Sequence, residues 1–315
     1  MKKAVIVGCE GQDGRLLWQL LERKGYRILG ITRSGTKANF ARRQTKIKIQ
    51  NEKDINTCVR VFQPDEIYYL AAYHHSSENL ENDLLQLLRR SFSVHVEGFL
   101  NVLNAVRLQA PRCRVFYAAS SHIFGDVRSV PQNESTPMNP NCAYGLTKAA
   151  GRGLCGLYRK QHGLHVSTGI LYNHESPLRG PQFISQKIVR AAWAIKQGRQ
   201  KELVLGNLKA KVDWGYAGDY VEAMYKILQA GQPDDFIVSS GALHSVKEFT
   251  QGVFGYLGLD YRQYVRENPA LLKKSTGRQF FGDHSKLTRV TGWKPKVGFN
   301  KLISMMVQAG AKADA

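Results

Sequence analysis

The 315 residues hold no apolar run near the ~18 that a membrane-spanning helix requires, no internal repeat and no low-complexity segment. Cysteine is sparse. The five (Cys9, Cys58, Cys113, Cys142, Cys155) are odd in number and form no C-x-x-C pair, which argues against a disulfide framework and against the common zinc sites. Acidic residues are few, 25 Asp+Glu against 45 Lys+Arg, for a formal charge of +20. Such a balance attracts phosphates, whether on nucleic acid, a membrane surface or a small dianionic ligand. The basic residues are scattered, however, and no block of about five or six marks a nucleic-acid arm. A basic surface around a phosphate-binding enzyme is therefore the expectation, with neither nucleic acid nor membrane as partner. The opening Met-Lys-Lys-Ala-Val-Ile-Val-Gly runs straight into a strand pattern, so a cytoplasmic protein is expected.

What is present begins with that strand. Lys2 to Val7 is apolar and is followed by Gly8-Cys-Glu-Gly11-Gln12-Asp13-Gly14, then by Leu16, Leu17, Leu20 and Leu21 at helical spacing. Strand, glycine turn and helix in succession form the setting in which a glycine pattern means phosphate binding. The glycines let backbone approach a pyrophosphate, and the helix amino terminus presents free N–H groups. Gly8, Gly11, Gln12, Asp13 and Gly14 are thus candidate cofactor-binding residues in an α/β fold of the Rossmann type, a doubly wound parallel sheet. A second strand, Tyr26 to Thr32, ends at Arg33, with Arg42 and Arg43 following. An arginine there suits the 2′-phosphate of NADP, where an acidic side chain would hold the ribose of NAD. NADP is expected over NAD.

Further strands are expected at Lys46–Gln50, at Glu66–Ala71 and at Arg114–Ala118, and a long helix over Val94–Leu108. Leu80–Leu88 reads as a leucine-rich helical patch for packing or subunit contact. Leu70 and Ala71, at a strand's carboxyl end, fall where the cofactor wall of an open sheet lies. His74 and His75 have no Cys or carboxylate at ligand spacing, so no metal is expected. Ser120 follows the Arg114 strand into the same catalytic edge of the sheet. Tyr144 and Lys148, four apart on a helix, share one face. An ammonium beside a phenol favours phenolate, which makes Tyr144 a candidate acid/base for a sugar or alcohol hydroxyl.

Together these features resemble the extended short-chain dehydrogenase/reductase superfamily, and stretches across nearly the whole chain resemble its GDP-mannose 4,6-dehydratase branch. The glycine turn resembles that family's G-x-x-G-Q-D-G, and Ile170-Leu-Tyr-Asn-His-Glu-Ser-Pro-Leu-Arg-Gly180 its N-H-E-S-P-R-R-G. Gly206-Asn-Leu with Asp213-Trp-Gly-Tyr-Ala-Gly-Asp-Tyr-Val221, and Gly282-Asp through Gly292-Trp-Lys-Pro295, resemble its remaining signature stretches. The resemblance implies an NADP-binding Rossmann domain over residues 1–172 with about 210–240, and a smaller α/β domain, 173–209 and 241–315, for the nucleotide sugar. It implies oxidation at C4 of the sugar, loss of water across C5 and C6, and return of the hydride at C6. Ser120 then takes the place of a threonine that holds the C4 hydroxyl, Tyr144 is its base, and Lys148 holds the nicotinamide ribose. Asn39 and Arg42 fall on an NADP-contacting N-x-x-R. Ser121, Asn173, Glu175, Lys187 and Arg190 fall to the substrate side. A homodimer or tetramer, joined through the Val94–Leu108 and Tyr144–Gln161 helices, is also implied.

Departures from the pattern bear on the second half of that chemistry. Where the family carries the glutamate that removes the C5 proton, this chain has His122, a side chain that titrates near ~6.5 when unperturbed. Val212 replaces an arginine before D-W-G, with Lys209 and Lys211 close by, Lys48 replaces an adenine-side aspartate, and the R-P-x-E-V nucleotide grip has no counterpart around Asn268–Arg278. Three readings stay open on the sequence. One is a GDP-sugar 4,6-dehydratase using Ser120, His122, Tyr144 and Lys148. The others are a C4 dehydrogenase, reductase or epimerase that omits water loss, and a cofactor-binding homologue without turnover.

Overall fold

The structure is a computed structural model that describes residues 1–37, 44–73, 83–125, 130–271 and 280–313. Its first strands are β1 (Lys3–Val7), β2 (Arg27–Lys37), β3 (Gln44–Lys46), β4 (Glu66–Tyr69), β5 (Arg114–Ser120) and β6 (Val166–Leu171). Shorter strands follow as β7 (His174–Glu175), β8 (Leu203–Leu205), β9 (Lys211–Asp213) and β10 (Gly215–Tyr216), then β11 (Asp235–Val238), β12 (Leu243–Ser245) and β13 (Val265–Glu267). The helices are α1 (Gln12–Arg23), α2 (Glu52–Phe62), α3 (Leu84–Phe92), α4 (Gly98–Gln109), α5 (Ala143–His162), α6 (Ile184–Lys196), α7 (Ala217–Gln229), α8 (Val246–Tyr256), α9 (Tyr261–Tyr264), α10 (Ser285–Thr291) and α11 (Phe299–Ala313).

Seven strands form one parallel sheet in the order β11-β6-β5-β4-β1-β2-β3. Such strands are buried on both faces, and β1, β4 and β6 are accordingly buried along nearly their whole length rather than at alternate residues. One face carries α2, α4 and α5 over a core of Val5, Tyr69, Phe99 and Tyr117. The other carries α1 and α7 over Ile6, Tyr68, Phe116 and Trp293. A third core, built on α6, α8 and α11 with Trp214 and Phe249, packs apart from the sheet. The order in which strands are laid down reverses between β1 and β4, because β2 and β3 continue on one side of β1 and β4 to β6 on the other. The crevice at their carboxyl ends is where ligands of open α/β sheets bind.

Several expected boundaries shift. The third strand is Gln44–Lys46, not Lys46–Gln50, because residues 49 and 50 enter a turn in which Asn51 N–H bonds Lys48 O at 2.8 Å and the Asn51 side chain caps α2. β4 stops at Tyr69, leaving Leu70 and Ala71 as extended lining of the crevice. The long helix expected from Val94 is interrupted by a π-helical turn, Ser93–Glu97, that joins α3 to α4. Of the leucine-rich patch, α3 begins at Leu84 under an Asp83 cap, and 74–82 lie outside the described residues. The Arg114 strand runs on through Ser120.

Candidate active site

The crevice holds a cavity of about 590 Å³ lined by Gly8, Glu10, Gly11, Gln12, Asp13 and Gly14, by Thr32 and Ile47–Gln50, by Leu70–Ala72, and by Arg179. Glycine is required in the turn. Gly8 has φ +91°, and a Cβ there would lie 2.8 Å from Ala71 N. A Cβ on Gly14 would meet Gly8 O at 2.4 Å, so α1 starts pressed against the turn. A Cβ on Gly11, which also lines the cavity, would meet only Gly8 O, at 3.5 Å. No side chain caps the start of α1, so its first N–H groups and positive dipole end face the cavity, a cradle suited to a pyrophosphate. Also in the lining, the Glu10 carboxylate accepts a hydrogen bond from the Thr32 hydroxyl. Arg33 follows Thr32 in the sequence; its side chain, and Asn39 and Arg42 as whole residues, lie outside the described residues.

A second strip of chain closes over the glycine turn. Gln12 donates to His174 O at 3.1 Å and accepts from the Ser176 hydroxyl at 2.8 Å. The Asp13 carboxylate meets the His174 ring at 2.9 Å, and that ring also bonds Tyr172 O and stacks on Tyr220. Burial pushes the Asp13 carboxyl up, but the charge and hydrogen bond of His174 outweigh it and hold the group below its ordinary range. The opposite holds for His174, which burial lowers and Asp13 raises to a net increase. Arg179 reaches the cavity from the same strip, with its guanidinium 3.5 Å from the Phe183 ring centroid and paired to Glu175 at 3.2 Å. His174 and Arg179 were not among the residues singled out from the sequence, although both stand in the Ile170–Gly180 segment. Motif matching flagged the stretch without saying which of its side chains face the cleft.

Ser120, Tyr144 and Lys148 come together beside this cavity without being part of its lining. β5 delivers Ser120 at its last residue, and α5 delivers the other two from its first turns. The approach depends on Gly145, where a Cβ would lie 2.4 Å from His122 O. Cys142 caps the helix by accepting Gly145 N–H at its sulfur. Lys148 is 1% exposed, donates to Ala118 O at 2.7 Å, and has its Nζ 5.8 Å from the Tyr144 ring centroid. The expectation that this ammonium eases ionisation of the phenol is modified here. Burial pushes the Tyr144 phenol up to about 12, opposed by the charge of Arg179 and a hydrogen bond with Ser120. Burial likewise draws Lys148 down to about 7, with Asp13 acting the other way. For the phenol, desolvation outweighs the lowering by Arg179 and Ser120.

His122 stands at the rim of the same group, its ring edge-on to Tyr144 at 5.9 Å and tilted against Phe280 at 5.4 Å. Its backbone N–H bonds the Ser120 hydroxyl oxygen at 3.3 Å. The expected substrate-side residues separate. Ser121 is 4% exposed and begins a short 3-10 turn, while Glu175, 3% exposed, is committed to the Ser185 hydroxyl at 2.6 Å and to Arg179. Glu175 therefore bears on the cleft through Arg179. The Asn173 side chain is exposed while its carbonyl accepts Gly215 N–H, Lys187 is half-buried on α6, and Arg190 is exposed. Among the described residues no three His, Cys, Asp or Glu side chains are grouped to hold a metal; His74 and His75 lie outside them.

A family model described as GDP-mannose 4,6 dehydratase matches residues 5–306. GDP-mannose 4,6 dehydratase 2 of Arabidopsis thaliana is 39% identical over 326 aligned positions, covering 97% of this chain and 86% of that protein. In fold, the chain resembles RMD from Pseudomonas aeruginosa solved with NADPH (TM-score 0.84, 19% identity, 99% and 100% of the two chains covered). It likewise resembles dTDP-glucose 4,6-dehydratase from Bacillus anthracis solved with NAD (TM-score 0.83, 18% identity, 100% and 98% covered). The extent of the sequence match, over a crevice whose glycine turn is bound to the N-H-E-S strip, places this chain in the GDP-mannose 4,6-dehydratase family.

Proposed function

We propose that this chain is an NADP-dependent 4,6-dehydratase of a GDP-linked hexose, with the dinucleotide in the crevice and the sugar nucleotide between it and the domain formed by 173–209 and 241–315. The observation that carries the reading is the meeting of Ser120, Tyr144 and Lys148 beside a glycine-lined cavity in a chain that belongs to this family. The cavity fits a dinucleotide. Gly8, Gly11, Gln12, Asp13 and Gly14 would take the pyrophosphate, Leu70 and Ala71 one wall, and Arg179 a phosphate or ribose edge. Arg33, next to Thr32, supports NADP over NAD, and a neighbour in fold was solved with each.

When bound, the nicotinamide supplies a hydride acceptor and later returns that hydride. The chain supplies the proton chemistry. Ser120 would hold the C4 hydroxyl and Tyr144, once ionised, would take its proton as phenolate; with burial holding the phenol near 12, that ionisation requires positive charge beside it. Lys148, drawn to about 7 and bonded to Ala118 O, would orient a ribose and carry that charge. Oxidation at C4 acidifies the C5 proton, and His122 is the nearby group that can accept it and deliver a proton to the departing C6 hydroxyl.

Purified protein incubated with GDP-mannose and no added cofactor should yield a 4-keto-6-deoxy product, seen by mass spectrometry as loss of water. A second reading rests on the His122 ring standing where the family has a glutamate: C4 oxidation without elimination. Stoichiometric NADPH build-up with no water lost would replace the first reading by the second. The exposed Leu100 and Leu108 of α4 and Leu146 and Leu157 of α5 support a homodimer through these two helices.

A further inference from the structure

We infer that His95 is a positioning residue for Tyr144. It ties the catalytic helix to the wall of the dinucleotide cavity, an assignment that rests on the function proposed above. His95 lies at the centre of the π-helical turn between α3 and α4 and is 0% exposed. Single π turns inside α-helices recur at functional sites, because the extra residue re-aims a side chain at a cost in backbone geometry. Here the re-aimed group is an imidazole. Its Nε2 accepts Tyr73 N–H at 2.9 Å and its Nδ1 is 2.7 Å from the Thr147 hydroxyl. An acceptor role at Nε2 places the proton of the neutral ring on Nδ1, which therefore donates to Thr147 Oγ1. The Thr147 hydroxyl in turn donates within its own helix, to Ala143 O at 2.9 Å or Tyr144 O at 3.1 Å.

Each end of this chain of bonds touches machinery. Tyr73 closes the segment whose Leu70, Ala71 and Ala72 line the cavity. Thr147 lies between Tyr144 and Lys148 on α5, and the His95 ring itself stands edge-on to the Tyr144 ring, centroids 5.3 Å apart at 86°. A third tie leaves from the same residue. His95 O accepts the Tyr117 hydroxyl at 3.1 Å, and the Tyr117 ring lies 5.1 Å from Lys148 Nζ. Buried polar side chains are usually satisfied by neighbours without consequence for chemistry. His95 differs in that its bonds and its ring edge converge on the two residues whose relative placement the reaction needs. Fully buried, it reaches no substrate and acts through Tyr144.

The test uses full-length protein with its co-purifying cofactor and GDP-mannose. His95→Phe keeps ring volume and the edge contact but loses the bonds to Tyr73 and Thr147; Thr147→Val removes the acceptor of the Nδ1 bond with little change of shape. Because sub-ångström to ångström misplacement of a reacting group costs up to about 100-fold, each should lower kcat at least about 10-fold, with KM and cofactor affinity nearly unchanged. The double variant should be no slower than the slower single one, because both break one unit. His95→Gln, able to accept from Tyr73 and donate to Thr147, should recover most of the rate. Unchanged kcat with a lowered Tm, or additive losses in the double variant, would overturn the assignment. Should His95→Phe fail to fold, Thr147→Val carries the same comparison. If the wild type does not turn over GDP-mannose, the proposed function falls, and imidazole 15N NMR still decides this inference. His95 must then appear as one Nδ1–H tautomer that Thr147→Val perturbs. A ring averaging both tautomers would refute it.

Discussion

The Asp13 carboxylate stands 2.9 Å from the His174 imidazole, joining the turn that opens α1 to the strip that follows β6. Across this contact the first and last halves of the crevice are held as one cradle. The side chains are 21% and 10% exposed, so neither charge is well solvated, and removing one partner leaves the other costly, about 3 kcal/mol or somewhat more for a buried pair. The pH dependence follows in sign. Asp13, depressed from 3.8, contributes stability that is present above that value and lost as pH falls through its lower folded value. His174, raised from 6.5, contributes stability present below 6.5 and lost as pH rises through its higher folded value. Asp13→Asn should therefore lower Tm most between pH 3.8 and 6.5, with the gap to wild type narrowing above. Calorimetry of both proteins across that range checks it.

Tyr144→Phe removes one oxygen from a ring already wedged between His95 and His122. Tm should hold within a degree or two while hydride transfer falls at least about 100-fold, the usual scale for a general acid/base. Lys148→Met should act differently. The ammonium is buried, with about 7 as its midpoint, so a methionine of similar length relieves desolvation and should hold or raise Tm while activity is lost. Stopped-flow absorbance at the reduced nicotinamide band, beside thermal melts, separates the two.

The local sequence was enough for the glycine turn, because strand, glycines and amphipathic helix are contiguous and each has its own spacing. It was also enough for Ser120, Tyr144 and Lys148 as a group, since a strand end and an i, i+4 pair need no knowledge of partners. It failed where position depends on contacts far along the chain. Gln12 and Asp13 reach 161 to 164 residues ahead to His174 and Ser176, so Arg179 and His174 could not be ranked above Glu175 within their segment. The break at His95 was hidden because no Gly or Pro lies within Ser93–Glu97 to mark it, and the π turn answers to Tyr73 and Thr147. Likewise the sign of the Tyr144 shift turned on burial, which no spacing reports.

Gly151 brings α5 into close approach with the sheet. A Cβ there would lie 2.1 Å from the Tyr117 hydroxyl and 2.3 Å from its ring carbon. Tyr117 is 0% exposed and lies under Lys148, so it has no free space to retreat into. Gly151→Ala should cost about 1–3 kcal/mol, the range for overpacking, despite the helix propensity gained. A denaturant titration against wild type gives the number, and an unchanged midpoint would mean that α5 sits farther from β5 than described.

Gly153, two residues on, faces away from its own chain, with nothing within 4 Å of a Cβ placed there. On the same face Leu146 and Leu157 are 44% and 45% exposed, and on α4 Leu108 is 52% exposed. A single chain has room for a large residue at 153, so Gly153→Leu should leave the fold intact and the far-ultraviolet circular dichroism unchanged. If two chains pair through α4 and α5, the added side chain falls where helices approach closely and should block assembly. Light scattering after size exclusion should then show wild type at about twice the chain mass, and the variant at the mass of one chain, 35.4 kDa. Equal masses for the two proteins would move the subunit contact to another face.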